Sequence, residues 1–250
     1  MLETEIQGGV GIIRLSRGIT NAINFQLVAE LTATLENMIS SDSEIKVILL
    51  TSSNDKFFAI GFDLPEVLGF SRSEFQEFYQ GFNRLSLLLY KTPKPTVAAL
   101  TGHATAGGCI LALCCDYRII GQGRTLMGLN EVKLGVPVPY PGDVILRDLV
   151  GTRHAREIME LGEFYKPDKL LELGMVDEIV PKAEVRARAL ERAHEYSLLP
   201  PPAFQVIKKN RIQPVVDRIQ EKLAAREQQF LACWFSEDTQ STLRKAMEKF

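Results

Sequence analysis

The chain has 250 residues, of which 46% are hydrophobic and 24% charged, with 29 basic against 31 acidic side chains and a formal net charge of −2. This composition excludes disordered, collagen-like and disulfide-scaffold classes. The near-cancelling charges leave no basic footprint for nucleic acid. A chain of this length buries roughly 70–75% of its unfolded surface, so its core needs neither staples nor metals.

The four cysteines, Cys109, Cys114, Cys115 and Cys233, form no C-x-x-C pair and have apolar neighbours. With only His103, His154 and His194 to join them, no metal site is predicted, and buried reduced thiols are expected. Glu3 and Glu5 beside Met1 argue against a secretory or transit segment. No apolar run approaches the roughly 18 residues of a membrane span. The end Glu248-Lys249-Phe250 is not a peroxisomal tripeptide. A cytoplasmic location is expected.

Val10–Leu15 and Val47–Thr51 read as strands, and between them Leu27, Leu31, Leu35 and Met38 share one face of a helix. Ser52–Asp55 is a cluster of turn formers. A third strand is predicted at Thr96–Leu100, leading through Gly102 into an apolar helix that opens at Gly107-Gly108. Strands alternating with helices predict an α/β chain with a mostly parallel sheet. Further on, Arg153–Leu161 and Pro167–Leu173 read as helices, the second stopped by Gly174. Three consecutive prolines within Leu198–Pro202 break any helix there, and the helix-rich tail is interrupted by Pro214. Ile219, Leu223 and Phe230 give this tail an apolar stripe that must pack on the rest of the chain or on another subunit. The division is therefore a core over 1–195 and a helical region over 196–250.

Three segments carry candidate chemistry. Gly102–Gly107 has the spacing of a P-loop, but Gly108 and Cys109 stand where Lys and Ser/Thr would bind phosphate and magnesium. Gly107-Gly108 at a helix N-terminus can instead present backbone N–H groups to an acyl oxygen, or serve close helix–strand packing. One preorganised donor of this kind is worth roughly 3–4 kcal/mol in a transition state. Ile60-Gly61-Phe62-Asp63-Leu64 follows the second strand and suggests a turn with an exposed N–H at Phe62. Two such loops at the carboxyl ends of parallel strands are what a two-donor oxyanion hole requires. The third segment, Gly128–Pro137, holds Glu131 amid apolar residues, either as a surface charge or as a carboxylate kept in a cleft.

In combination, Asn21–Asn24, Phe58–Leu64, Gly102–Ile110, Cys115–Ile119, Asn130-Glu131 and Gly174–Pro181 resemble the crotonase (enoyl-CoA hydratase/isomerase) family. Within it, Ala106–Cys109, Cys115–Ile119, Gly128–Glu131 and the tail Phe230–Phe250 are similar to the mitochondrial-type Δ3,Δ2-enoyl-CoA isomerases. The resemblance implies a crotonase-type spiral of ββα units, a helical C-terminal trimerisation region and an acyl-CoA thioester substrate, with no separate cofactor. It implies a homotrimer or a dimer of trimers. It places oxyanion donors at the Phe62 and Gly107 N–H groups, CoA contacts along Ile60, Gly61, Phe62, Asp63 and Leu64, and a catalytic carboxylate at Glu131. Ile60 stands where the family usually has a small residue.

Family members that hydrate a 2-enoyl thioester use two glutamates, one of them three residues after the second donor. Here that position is Ile110, which moves no proton. One carboxylate suffices to shift a double bond from C3 to C2, because a single proton is lifted from C2 and returned at C4. The implied activity is Δ3,Δ2-enoyl-CoA isomerisation, with hydration, other enolate chemistry or acyl-CoA binding without catalysis as the alternatives. Asp63 and Asp116 read as structural, His103 as a satisfied partly buried histidine, and Lys133 and Arg124 as solvated. Glu66 is a lesser candidate for a second acid, and Asn130 could orient Glu131 or touch substrate.

Overall fold

The computed structural model describes residues 1–40 and 43–247. The end Glu248-Lys249-Phe250 lies outside the described residues. In chain order the elements begin β1 (Leu2–Gln7), β2 (Val10–Leu15), α1 (Phe25–Ile39), β3 (Val47–Ser52), β4 (Phe57–Ala59), α2 (Leu64–Val67) and α3 (Arg72–Lys91). There follow β5 (Thr96–Leu100), β6 (His103–Thr105), α4 (Gly107–Leu113), β7 (Tyr117–Gly121), β8 (Met127–Gly128), a single 3-10 turn (Glu131–Leu134) and α5 (Tyr140–Leu161). The remainder is β9 (Phe164–Tyr165), α6 (Pro167–Leu173), β10 (Glu178–Val180), a short 3-10 segment (Lys182–Glu184), α7 (Val185–Ser197), α8 (Pro201–Trp234) and α9 (Glu237–Met247).

Two sheets form, in the orders β1-β2-β3-β5-β7-β10 and β4-β6-β8-β9. Each turn of chain places one strand in the large sheet, the next in the small sheet, and then a helix: β3-β4-α2, β5-β6-α4, then β7-β8 and the 3-10 turn. Both β3-β5-β7 and β4-β6-β8 are parallel, so the repeated unit advances as a spiral. The central parallel strands β3 and β5 are buried on both faces, as a covered parallel sheet requires, whereas the antiparallel edge strand β1 is polar and exposed. Val47, Leu49, Val97 and Ala99 face α7 with Val185, Ala189 and Ala193, while Ile48, Leu50, Ala98 and Leu100 face the main core. Gly108 lets α4 lie against the small sheet: a Cβ there would fall 2.0 Å from the Ala59 carbonyl oxygen.

The elements read from sequence at β2, β3, β5, α1, α4 and α6 are present, with Gly174 as the left-handed stop of α6 at φ 78°. Two expectations are corrected and one is extended. The helix expected at Arg153–Leu161 is present and follows, across the non-helical Gly151 with φ 76° and ψ 159°, a further helical segment over 140–150, the two together making α5. Pro214 does not interrupt the tail, for α8 runs through it, held by the buried Ile212, Val215, Val216 and Ile219 on the same turns. Burial of that stripe outweighs the one backbone hydrogen bond a proline removes. The proline run does break the chain after α7, but Pro201 and Pro202 open α8, where their missing N–H groups cost nothing. Finally, Cys109, Cys114 and Cys115 are buried free thiols, whereas Cys233 is exposed on α8.

Candidate active site

The first loop leaves β4 at Ile60 and is fixed by the segment ahead of α1. Ile60 N–H donates to the Thr20 carbonyl at 3.1 Å, Ile23 N–H to the Gly61 carbonyl at 3.0 Å, and Asp63 N–H to the Ile23 carbonyl at 2.9 Å. Ile23 thus pairs with both residues flanking Phe62 in a parallel bridge. Such pairing turns the N–H of Phe62 itself to the opposite side. Asp63 stands at the N-cap of α2 without capping it. Its carboxylate accepts instead from Arg17, which also donates to the Ala22 carbonyl at 2.9 Å. Leu64 opens α2 and packs its side chain on the core.

The second loop joins β6 to α4 through Ala106, whose φ of 48° and ψ of −119° are strained for a residue with a side chain. Two bonds hold it there: Ala106 N–H donates to the Gly128 carbonyl at 2.9 Å, and its own carbonyl accepts from Ile110 N–H at 3.0 Å. The twist leaves Gly107 as the first residue of α4, where a helix has no internal acceptor for its N–H. Neither the Phe62 nor the Gly107 amide donates to another group among the described residues. The two loops touch. A Cβ on Gly61 would stand 2.9 Å from Ala106 Cβ and 3.7 Å from Gly107 N, and one on Gly107 would stand 3.6 Å from Gly61 Cα. The loops that carry the two free N–H groups therefore meet in one backbone cradle.

Glu131 begins the 3-10 turn directly after β8, the strand that pairs with β6. It is 5% exposed, and its Oε2 has no hydrogen-bond partner among the described residues. Burial pushes its carboxyl up to about 8, opposed only by its own backbone N–H. The Cys109 thiol is pushed up by burial first and by the charge of Glu131 after it, and the Tyr79 phenol by burial first, then by Glu227 and least by Glu131, so both groups feel the Glu131 charge. Among the described residues no cation and no second carboxylate shifts Glu131. Ile110 is fully buried and faces α5, where a Cβ on Gly142 would meet its Cγ1 at 2.8 Å.

The ring of Phe62 leads away from the cradle into an aromatic wall, 4.8 Å from Phe78 and 5.1 Å from Phe82 between centroids. Behind it Phe75 stacks on Trp234 and Tyr79 on Phe230, each at 4.0 Å, joining α3 to α8. Phe230 belongs to the apolar stripe expected of the tail, whereas Phe75, Phe78, Tyr79 and Phe82 were not anticipated from the sequence, although they follow the spacing of one helix face.

The other candidates lie elsewhere or are already engaged. Glu66 accepts from Asn24 Nδ2 at 2.8 Å and stands 3.8 Å from Arg17, so its charge is matched outside the cradle. His103 Nδ1 accepts from Leu126 N–H at 3.0 Å, and burial holds its pKa below the ordinary value. Lys133 pairs with Glu163 at 2.6 Å on the surface. Asp116 ties the sheet to α8 through Lys208 and Arg211, each at 2.6 Å.

The sequence pattern of the enoyl-CoA hydratase/isomerase family matches residues 5–250. The chain belongs to this family. Like the solved human mitochondrial delta3-delta2-enoyl-CoA isomerase, this family member has the crotonase fold. The two superpose with a TM-score of 0.94 at 29% identity, over 99% of this chain and 97% of the other. Its curated relatives divide between two reactions. It is 30% identical to mouse mitochondrial enoyl-CoA delta isomerase 1, over all of this chain and 86% of the relative. It is 29% identical to the short-chain-enoyl-CoA hydratase of Clostridium acetobutylicum, over 98% of this chain and 94% of the relative.

Proposed function

We propose that the chain is a Δ3,Δ2-enoyl-CoA isomerase. A 3-enoyl thioester would lie with its carbonyl oxygen between the Phe62 and Gly107 N–H groups and the CoA portion along the Ile60–Leu64 backbone. Glu131 takes the proton from C2, the electron pair moves into the thioester, and the resulting dienolate oxygen is held by the two amides. The protonated Glu131 then delivers the same proton to C4, leaving the conjugated 2-enoyl thioester. The proton balance closes within one substrate and one side chain, so no cofactor enters.

A single observation carries the choice of reaction: Glu131 is a buried carboxylate with an unengaged oxygen, and the position three residues beyond Gly107 is the aliphatic Ile110. Hydration needs a hydroxyl and a proton placed together, for which two carboxylates are suited. The mitochondrial isomerases among the relatives support the same reading. A homotrimer, or a dimer of trimers, and a cytoplasmic, reducing location complete the proposal. The buried free thiols suit that location.

The deciding experiment feeds 3-enoyl-CoA and 2-enoyl-CoA to the protein in parallel. Absorbance of the conjugated thioester should appear from the first much faster than it is lost from the second, and Glu131→Gln should abolish both while retaining ester binding. Faster hydration would make the chain a hydratase, and binding without turnover a carrier.

A further inference from the structure

Glu131 sits on a short turn held between α5 and α9, with Val136 and Leu134 packed on the main core. Its 3-10 turn has four residues, and short turns of this kind have little stability of their own. Within residues 130–136 the bonds are local: Lys133 N–H to the Asn130 carbonyl at 3.0 Å, Gly135 N–H to the Val132 carbonyl at 3.2 Å, and Val136 N–H to the Glu131 carbonyl at 3.1 Å. Lys133 reaches out to Glu163, but both side chains are half in solvent, where an ion pair holds little. Val132 rests on Gly162 with about half its surface in water.

Besides the exposed Lys133–Glu163 pair, one hydrogen bond, partly buried, reaches this turn from beyond it among the described residues. Thr239 Oγ1, on α9, donates to the Gly135 carbonyl at 2.9 Å. Thr239 is buried, and the fit is close: Gly135 ends the turn with φ 82°, and a Cβ there would meet Thr239 Oγ1 at 2.7 Å. The anchor itself is firm. Leu243, one turn further along α9, is fully buried in the main core, and Gln240 Nε2 donates to the Trp234 carbonyl at 2.8 Å. α9 also packs on α2, the helix that follows Phe62 directly. One rigid element thus touches the turn that carries the carboxylate and the short helix that follows the loop carrying a free amide.

We infer that Thr239 is a positioning residue, whose hydroxyl on the Gly135 carbonyl fixes the turn and so sets where the Glu131 carboxylate stands relative to the two amide donors. This rests on the reading of Glu131 as the base. A misplacement of about 1 Å at a reacting group can cost up to about a hundredfold in rate, and a turn released from its outer bond can shift by that amount. The same release admits water beside Glu131, which relieves the burial that raises its pKa.

The test compares full-length Thr239→Val, which keeps the shape and loses the donor, with Thr239→Ser, which keeps the donor. In the valine variant kcat for 3-enoyl-CoA should fall about tenfold with KM within about twofold, and the Glu131 titration should move down by about one pH unit. That titration is followed by the infrared band of its protonated carboxyl, assigned by its loss in Glu131→Gln. Serine should restore both quantities. A valine variant with the wild-type kcat and titration overturns the inference, as does a loss that serine fails to restore. If the wild-type protein does not isomerise 3-enoyl-CoA, the reading of the reaction fails. The infrared titration of the valine and serine variants then decides the role of Thr239 by itself.

Discussion

Gly61 and Ala106 face each other so closely that a methyl group on Gly61 would stand 2.9 Å from Ala106 Cβ. The contact sets the separation of the two free amides, because each belongs to the residue that follows: Phe62 after Gly61 and Gly107 after Ala106.

Gly61→Ala is therefore expected to push the loops apart without straining its own backbone, since Gly61 is not among the residues of positive φ. Losing the alignment of one oxyanion donor costs roughly 100- to 1,000-fold in turnover, and partial loss should give a fall in kcat/KM of about 10- to 100-fold. Ala106→Gly frees the space and suits a φ of 48°. The double variant should recover most of the activity, which steady-state kinetics will show. A double variant no better than Gly61→Ala would mean that the contact does not set the spacing.

Glu131 makes both activity and stability depend on pH. As the base it must be ionised, so kcat/KM should rise with pH through about 8 and then level. Stability runs the other way. The carboxyl binds its proton more tightly in the folded chain, so this contribution is full below the ordinary value of 4.5 and is lost as pH rises toward about 8. Urea unfolding midpoints should thus fall across that interval in the wild-type protein and much less in Glu131→Gln. Parallel curves for the two proteins would show that Glu131 is not held protonated by burial.

Ile110→Glu places a second carboxylate one turn into α4. Hydration of 2-enoyl-CoA should increase relative to isomerisation of 3-enoyl-CoA. The variant should also lose stability, because Ile110 is fully buried against Gly142 and a carboxylate has no partner there. The ratio of the two rates and the melting temperature check the two halves separately. An unchanged ratio in a folded variant would remove Ile110 from the account of reaction choice.

Asp116 and Lys208 are both buried and 2.6 Å apart, and Asp116 also accepts from the Thr96 N–H and hydroxyl, each at 2.9 Å. Replacing one partner of a buried pair typically costs about 3–5 kcal/mol through the charge left behind. Asp116→Ala should incur that cost by stranding Lys208. Lys208→Met should cost less, since Arg211 still reaches Asp116 at 2.6 Å. Denaturant unfolding of the two variants orders them, and the reverse order would place the main penalty on the carboxylate.

Much of the fold was legible because continuous apolar runs and the 3.6-residue period report directly on burial. Val47–Leu50 and Leu27–Met38 are such cases, each buried on the expected faces. The helical segment over 140–150 was not read from the sequence, and its packing on Ile110 at Gly142 is a tertiary feature. Pro214 misled for a related reason: local propensity argued for a break, and the buried stripe around it prevailed.

For the site, residue type and spacing by themselves picked out Gly61-Phe62, Gly107-Gly108 and Glu131 as candidates, while the meaning of Ile110 came only through the resemblance to the family. Type and spacing left open whether Glu131 was a surface charge and whether Gly107 served packing alone. Tertiary structure decided the burial of Glu131, the bridge through Ile23 that frees the Phe62 amide, and the hold of Thr239 on Gly135. Those features arise between segments far apart in the chain, and no local pattern encodes desolvation or a contact made across such a distance.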